Sequence, residues 1–502
     1  MKFLRVAALS VSLLVICAYQ ARAQATPAPI PTPAPSATNL PYPAYGTPAP
    51  GVSEGAPVVG VPQRVTLAQA IAIAAARSPV LASARGDVAL ARSAIAVART
   101  GELPGLSLNA ASTRFGGGSG TGTGGTGSGG TGGGGFSQGG SFLSNTGNVG
   151  LRQLIFDGGR VATQIRAASL GEVASAQTYQ RQLQSVSFNV ANAYYNALAA
   201  EGATGVAVAV VRQNQLGENL VRAQVRAGAS ARADIATAEL PTAQARVAVV
   251  RAQGNELAAV AALANAMGID ANADVRPIDD TPMIRMAGLS SIPVMTYDQA
   301  MTRALSLRPD YVSAQRNLEA AQASLRAARL GRSPSISGNA SLGVASTDPN
   351  GARFRSSNQI GATFTLPLFD QGLAAAQTQQ VQAQIDRAVA ALDTTRLGIQ
   401  LNVKQSLVNL ISARSALDQV QAELAKARQV LSSTQAQFRA GVTTLPLLLN
   451  AQVGLTTAEN DQLSAVYGLR QAEQGFLFAL GENDLQVTSP SSVSIQSKSP
   501  RR

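Results

Sequence analysis

GLAAAQTQQVQAQIDRAVAALDTTRLGIQLNVKQSLVNLISARSALDQVQAELAKARQVLSSTQAQFRA, Gly372–Ala440, is the stretch whose reading decides the fold. It holds no proline and one internal glycine, Gly398. Ala, Gln, Leu, Arg and Val dominate, all but Val good helix formers. At ~1.5 Å per residue a continuous helix of this length runs roughly 100 Å, several times the width of an ordinary domain. In its second half Leu417, Val420, Leu424, Ala427, Leu431, Thr434 and Phe438 follow the heptad a/d spacing, which buries one stripe against another helix. Upstream, Ile360, Ala362, Phe364, Leu366 and Leu368 alternate with Gly361, Thr363, Thr365 and Pro367, the period of a strand with one apolar face. The expectation is a strand that turns at Phe369-Asp370 into a very long helix.

The same plan occurs earlier in the chain. Thr66-Leu67-Ala68-Gln69-Ala70 returns as Thr296-Tyr297-Asp298-Gln299-Ala300, an offset of 230 that also pairs Pro79 with Pro309, Gly101 with Gly331 and Pro104 with Pro334. The seam Leu81, Ala84, Val88, Ala91, Ile95, Ala98 returns as Tyr311, Ala314, Leu318, Ala321, Leu325, Ala328. Further on the offset becomes 213, pairing Phe156-Asp157 with Phe369-Asp370, Arg226-Ala227-Gly228 with Arg439-Ala440-Gly441, and Gly268 with Gly481. The 17-residue difference falls in a run of Gly, Ser and Thr at 116–135, and a loop tip tolerates such variation.

Each half therefore reads as short helix, helix, strand, loop, strand, very long helix, turn, shorter helix. Strands are expected at 106–113, 149–155, 335–345 and 360–368. The lesser helices, 80–103 and 231–268 in the first half, stack end to end beside the long one. Gly202, Gly205 and Pro241 interrupt the helical pattern. Ile336, Ala340, Leu342 and Val344 share one strand face, and Ser337, Asn339 and Ser341 the other. That suits a transmembrane barrel, although an ordinary soluble sheet shows the same alternation. Four strands cannot close a barrel, and one half of the chain cannot bury its seams alone; three chains would supply twelve strands and twelve helical columns.

Composition sets the compartment. The 502 residues carry a net charge of +12, no His, no Trp and one Cys, Cys17. The arginines are spread along helices, without a dense basic run and with few aromatics, so no nucleic-acid partner is expected. Lys2 and Arg5, the apolar run Val6–Ala18 and Ala21-Arg22-Ala23 read as a signal peptide, 1–23. Ile16 before Cys17 argues against lipid attachment. No later run of ~20 apolar residues is read, so a membrane-spanning form would have to be a barrel. The expected domains are a Pro-rich linker at 24–63, a first repeat at 64–285 with its Gly-rich hairpin loop at 116–140, a second repeat at 286–488, and a disordered basic tail at 489–502.

The Thr-x-x-Gln-Ala openings with Pro79 and Pro309, the Phe-Asp-Gly-Gly and Phe-Asp-Gln-Gly corners and the Arg-Ala-Gly tips resemble the TolC-like outer-membrane efflux proteins, over about residues 64–485 and in the right order. The resemblance implies an α+β membrane protein: a homotrimer whose 12-stranded β-barrel sits in outer-membrane lipid and continues as a 12-helix α-helical barrel in the periplasm. It implies a passive exit duct for tripartite efflux or type I secretion. A periplasmic adaptor (membrane fusion) protein would join it to an inner-membrane RND or ABC pump. The tips, Arg226, Gly228, Arg439, Gly441, Thr443 and Thr444, would contact the adaptor, and each glycine also suits a helix C-cap. Where family members carry gating carboxylates, this chain has Leu447 and Asn450. Asp234 matches a carboxylate of the closed-state lock, whose Tyr and Arg partners correspond to Phe438 and Thr443. The expectation is an entrance narrowed by apolar and amide side chains, which gate by dewetting, or else a Leu447 that packs the helical wall.

No enzyme is expected. There is no His, no Cys beyond the signal, and no P-loop or HExxH pattern. The glycine run lacks the Lys and following helix of a phosphate site. No catalytic residue, cofactor or metal is assigned. The competing reading is an exported coiled-coil periplasmic spacer or adaptor without a pore, which has no need of four strands with an apolar face.

Overall fold

The computed structural model describes residues 63–115, 142–228, 231–279, 295–346 and 355–482. The expected signal peptide, the linker up to residue 62, the glycine-rich loop at 116–140 and the basic tail lie outside them. In chain order the elements are β1 (Gln63–Val65), α1 (Leu67–Arg77), α2 (Pro79–Thr100), β2 (Gly105–Phe115), β3 (Phe142–Phe156), α3 (Arg160–Arg226), α4 (Ala233–Ala266), β4 (Val275–Pro277), α5 (Tyr297–Leu307), α6 (Pro309–Arg329), a 3-10 turn (Leu330–Arg332), β5 (Ser335–Ser346), β6 (Arg355–Thr365), α7 (Leu373–Arg439) and α8 (Leu445–Leu480).

The duplication holds to the residue. At an offset of 230, α1 coincides with α5 and β2 starts with β5; at 213, β3 starts with β6, and α3 and α7 share both ends at 67 residues each. The causes are local. Thr66 and Thr296 each close a capping box with the Gln three residues on. Pro79 and Pro309 open the next helices, where a missing N–H costs nothing. Asp157 and Asp370 cap the two long helices, accepting from Val161 N at 2.7 Å and Ala374 N at 2.9 Å.

Helices α2 and α4 both lie against α3, one beyond the other; α6 and α8 do the same between α3 and α7. One chain thus supplies four helical columns, with α2 and α4 on one flank and α7 on the other. The seam in α7 is buried as expected: Leu417, Leu424, Leu431, Thr434 and Phe438 are all covered. Beyond the helices, four strands form one antiparallel sheet in the order β2-β3-β5-β6, and among the described residues β2 and β6 have one partner each.

Four details correct the sequence reading. Leu366–Leu368 fall outside β6, because Pro367 has no N–H for a ladder. Helix α3 runs unbroken through Gly202 and Gly205. Gly202 is a contact, not a break: a Cβ there would lie 2.5 Å from Leu463 of α8. Helix α4 continues through Pro241, whose carbonyl accepts from Asn214 of α3 at 3.1 Å. Helix α4 is also long and apolar enough, by length and composition, to cross a membrane, against the expectation of no such run. Its apolarity has another use: Ala238, Thr242 and Ala245 face α3, while Leu240, Val247, Val250 and Leu257 form a second, exposed seam. A parallel pair, β1 with β4, was not foreseen; three-residue strands leave no periodicity to read. Its Val65 and Val275 are buried with Tyr194, whose hydroxyl accepts from Ile278 N at 3.2 Å.

Candidate functional site

At the second tip, α7 ends at Arg439 and Gly441 takes φ 72°. Gly441 N donates to Phe438 O at 3.1 Å and Val442 N to Gln437 O at 2.9 Å. That is a Schellman cap, and a side chain at Gly441 would be strained. Thr444 precedes α8 without a side-chain cap, and Thr443 is half-buried. Leu448, 3% exposed, joins Phe438, Leu424, Leu431 and Leu455 in a core that also takes Val221 of α3 and Ala238 of α4. Leu447 is 51% exposed and Asn450 lies open one turn on. Within one chain, therefore, Leu448 and not Leu447 fills the wall.

The first tip is built differently. Arg226 ends α3, and Gly228, φ 75°, donates to Val225 O at 3.1 Å. Residues 229–230 lie outside the described residues. Asp234 accepts from Ala231 N at 3.1 Å, so its carboxylate caps its own turn. One turn up, Arg222 reaches both Glu218 and Glu239 at 2.7 Å, tying α3 to α4. The corresponding residues of the second copy are Leu431, Gln435 and Gln452. One tip is tied by charge and the other by an apolar core. The Glu218–Arg222 spacing was a legible helix pair; Glu239 was not, because the fold brings it there.

Where the two copies meet, the sequence reading missed a buried ionic cluster. Arg308, its side chain 3% exposed, donates to both oxygens of Asp310, at 3.0 and 2.6 Å. Arg181 of α3 lies 3.8 Å from Asp310 and stacks on Phe478 of α8 at 3.8 Å. Burial, helped by the Arg308 charge, lowers the Arg181 pKa to about 10 although Asp310 opposes it. Burial would raise the Asp310 carboxyl, but the Arg308 hydrogen bonds and both guanidinium charges hold it below its usual range. Arg308 also donates to Ala479 O at 3.4 Å, and Gln184 Nε2 to Gly481 O at 2.7 Å, so the cluster stops α8 against α3. The counterparts of Arg308, Asp310 and Arg181 are Ser78, Val80 and Thr394. Repeat matching therefore could not have found it.

At the second strand-to-helix corner, Arg332 pairs with Asp370 at 2.9 Å. The Arg332 hydrogen bond first, then the Ala374 amide, hold the half-buried Asp370 carboxyl down to about 2.

The register sorts the sheet into two faces. Leu106, Leu151, Ala340 and Ile360 form one row across all four strands; Leu108, Val149 and Leu342 form the next, where Asn358 is the exception. The other face reads Ser107–Gly150–Ser341–Gln359 and Asn109–Asn148–Gly343–Ser357. A bulge at Leu154/Phe156 keeps Phe156 level with Ile336 on the apolar face. Leu106, Leu108, Leu342 and Ile360 remain exposed in the single chain. No group of His, Cys, Asp and Glu able to hold a metal occurs among the described residues.

The chain thus joins a sheet with an exposed apolar face to long paired helices. The chain belongs to the outer membrane efflux protein family, whose model matches residues 70–269 and 300–482. It is 27% identical over 347 residues to Protein CyaE of Bordetella pertussis, covering 68% of this chain and 71% of that one. It is 25% identical over 364 residues to Outer membrane protein TolC of Escherichia coli (strain K12), covering 67% and 69%. Among solved structures it shares its fold with the outer membrane protein VceC of Vibrio cholerae, with a TM-score of 0.67 at 17% identity over 83% of this chain and 96% of that chain. It is an outer-membrane exit duct that extends into the periplasm, and its family is one of channels.

Proposed function

We propose that three copies close into a 12-stranded barrel continued by twelve helical columns, forming a passive duct without catalytic chemistry. The observation that carries this is the two-faced sheet with one open edge on β2 and one on β6. An antiparallel order of four strands leaves β6 of one copy antiparallel to β2 of the next, so closure needs no new geometry. The helical flanks match. The exposed seam Leu240, Val247, Val250, Leu257 of α4 would pack on the open flank of α7 from the neighbouring copy, with Leu257 at the level of the exposed Val408 and Ile411. The apolar face would lie in lipid and the amide-rich face would line the lumen. We assign residues 64–285 and 286–488 as the two repeats of this plan.

Energy would come from an inner-membrane RND or ABC pump through a periplasmic adaptor, docked at Arg226–Gly228 and Arg439–Thr444. Leu447 and Asn450, exposed on α8 beside the turn, would narrow the entrance; Asp234 would hold the first turn in shape. Detergent-purified protein should have the mass of a trimer and conduct in a planar bilayer. A monomer that needs no detergent and does not conduct would sink the duct and leave the periplasmic spacer. Leu447→Ser should raise single-channel conductance, since a polar ring wets more readily; unchanged closure would remove Leu447 from the gate.

A further inference from the structure

The four strands contain Arg114, Arg152 and Arg355 and not one Asp or Glu. The register places two of these arginines on the amide-rich face: Arg152 stands opposite Asn339, and Arg355 opposite Ala345, in line with Thr146 and Ala111. Both are exposed in the single chain. Along β5 the two positions are six residues apart, about 20 Å at ~3.3 Å per residue. One lies toward the helices and the other toward the 347–354 connection. Around Arg152 the neighbours on that face are Ser107, Asn339 and Gly361, with Asn339 bonded to Thr363 at 3.2 Å. Amides and hydroxyls surround the charge and none neutralises it.

We propose that the barrel is anion-selective, and that its cargo is anionic, because Arg152 and Arg355 form two rings of positive charge, one near each mouth. This rests on the trimeric duct proposed above. Rings of Arg or Lys are how a pore prefers anions, as rings of Asp or Glu prefer cations. Size permits it. Twelve strands ~4.8 Å apart, tilted about 40°, give a backbone radius of roughly 12 Å. The Debye length is ~10 Å at 0.1 M salt and ~3 Å at 1 M. The rings therefore reach the axis in dilute salt and are screened out in concentrated salt. Beside the second tip Leu447 and Asn450 bring no acidic group, and Arg439 there is exposed as well.

The test is the reversal potential of single channels under a KCl gradient, for the wild type, the Arg152→Gln/Arg355→Gln variant and the Arg152→Lys/Arg355→Lys variant, each also in the Leu447→Ser background. Chloride should pass in preference to potassium by about twofold or more near 0.1 M, with the preference fading toward 1 M as screening demands. The Gln pair should lose the preference and the Lys pair keep it. Potassium preference in the wild type, or chloride preference untouched by the Gln pair, overturns the proposal and leaves the duct standing. Detergent-bound protein with no channels in either background overturns the duct itself and this selectivity with it.

Discussion

Asp310 shows how much one side chain carries at the joint between the copies. Removing it leaves Arg308 buried beside Arg181 with no counter-charge. Asp310→Ala should cost about 3–5 kcal/mol, as breaking a buried pair does, read as a fall in the unfolding midpoint in detergent. The second tip gives a sharper contrast between neighbours. Phe438→Ala empties a packed site and should cost about 3–5 kcal/mol. Leu447→Ser, on an open surface, should leave thermal stability within about 0.5 kcal/mol while altering conductance. The Asp370 corner is set by pH. Its carboxyl is depressed in the folded chain, so its contribution is complete above the ordinary value of 3.8 and is lost as pH falls through about 2. Hydrogen exchange at Gly372 and Ala374 should stay slow down to about pH 4 and quicken below it. Arg332→Gln should move that loss to higher pH. Exchange insensitive to both would mean the corner is held by something other than this carboxylate.

Among the elements, α4 has a packed side and an open side. Its inner seam is closed by α3 and its outer seam, among the described residues, by no other element. The duplication says what should close it. Inside the chain, α8 presses Leu463 onto Gly202 of α3. Moving both residues by the repeat offset of 213 turns that contact into Val250 against Ser415 of the neighbouring copy. Val250→Cys with Ser415→Cys should therefore form an intersubunit disulfide under mild oxidation, seen as cross-linked trimer on a non-reducing gel, because packed helices bring Cα atoms into bonding range. Either single variant should stay monomeric on the same gel. A double variant that does not cross-link would mean that the subunit joint does not repeat the internal one.

At the scale of the molecule the sheet and the stalk follow opposite rules. The stalk buries seams between helices, whereas the sheet leaves its apolar rows exposed, to be covered by lipid in the proposed barrel. The surplus of Lys and Arg, 40 against 28 acidic residues, need not mean nucleic acid when Arg152 and Arg355 stand on the amide-rich face of an outer-membrane duct. The sequence alone determined the duplication, the long helix over 372–440, the heptad stripes and the sorting of strands into two faces. It could do so because caps, glycine turns and periodicity are local and act through neighbours in the chain. Only the tertiary structure decided that β3 pairs with β5 across the two halves, that Pro241 and Gly202 lie inside unbroken helices, and that Leu448 fills the wall beside an exposed Leu447. It alone brought Arg181 and Arg308 together around Asp310. Those outcomes depend on what a distant segment presents: a side chain that needs the space of a missing Cβ, or a buried charge that finds its partner more than a hundred residues away. No local pattern records such needs.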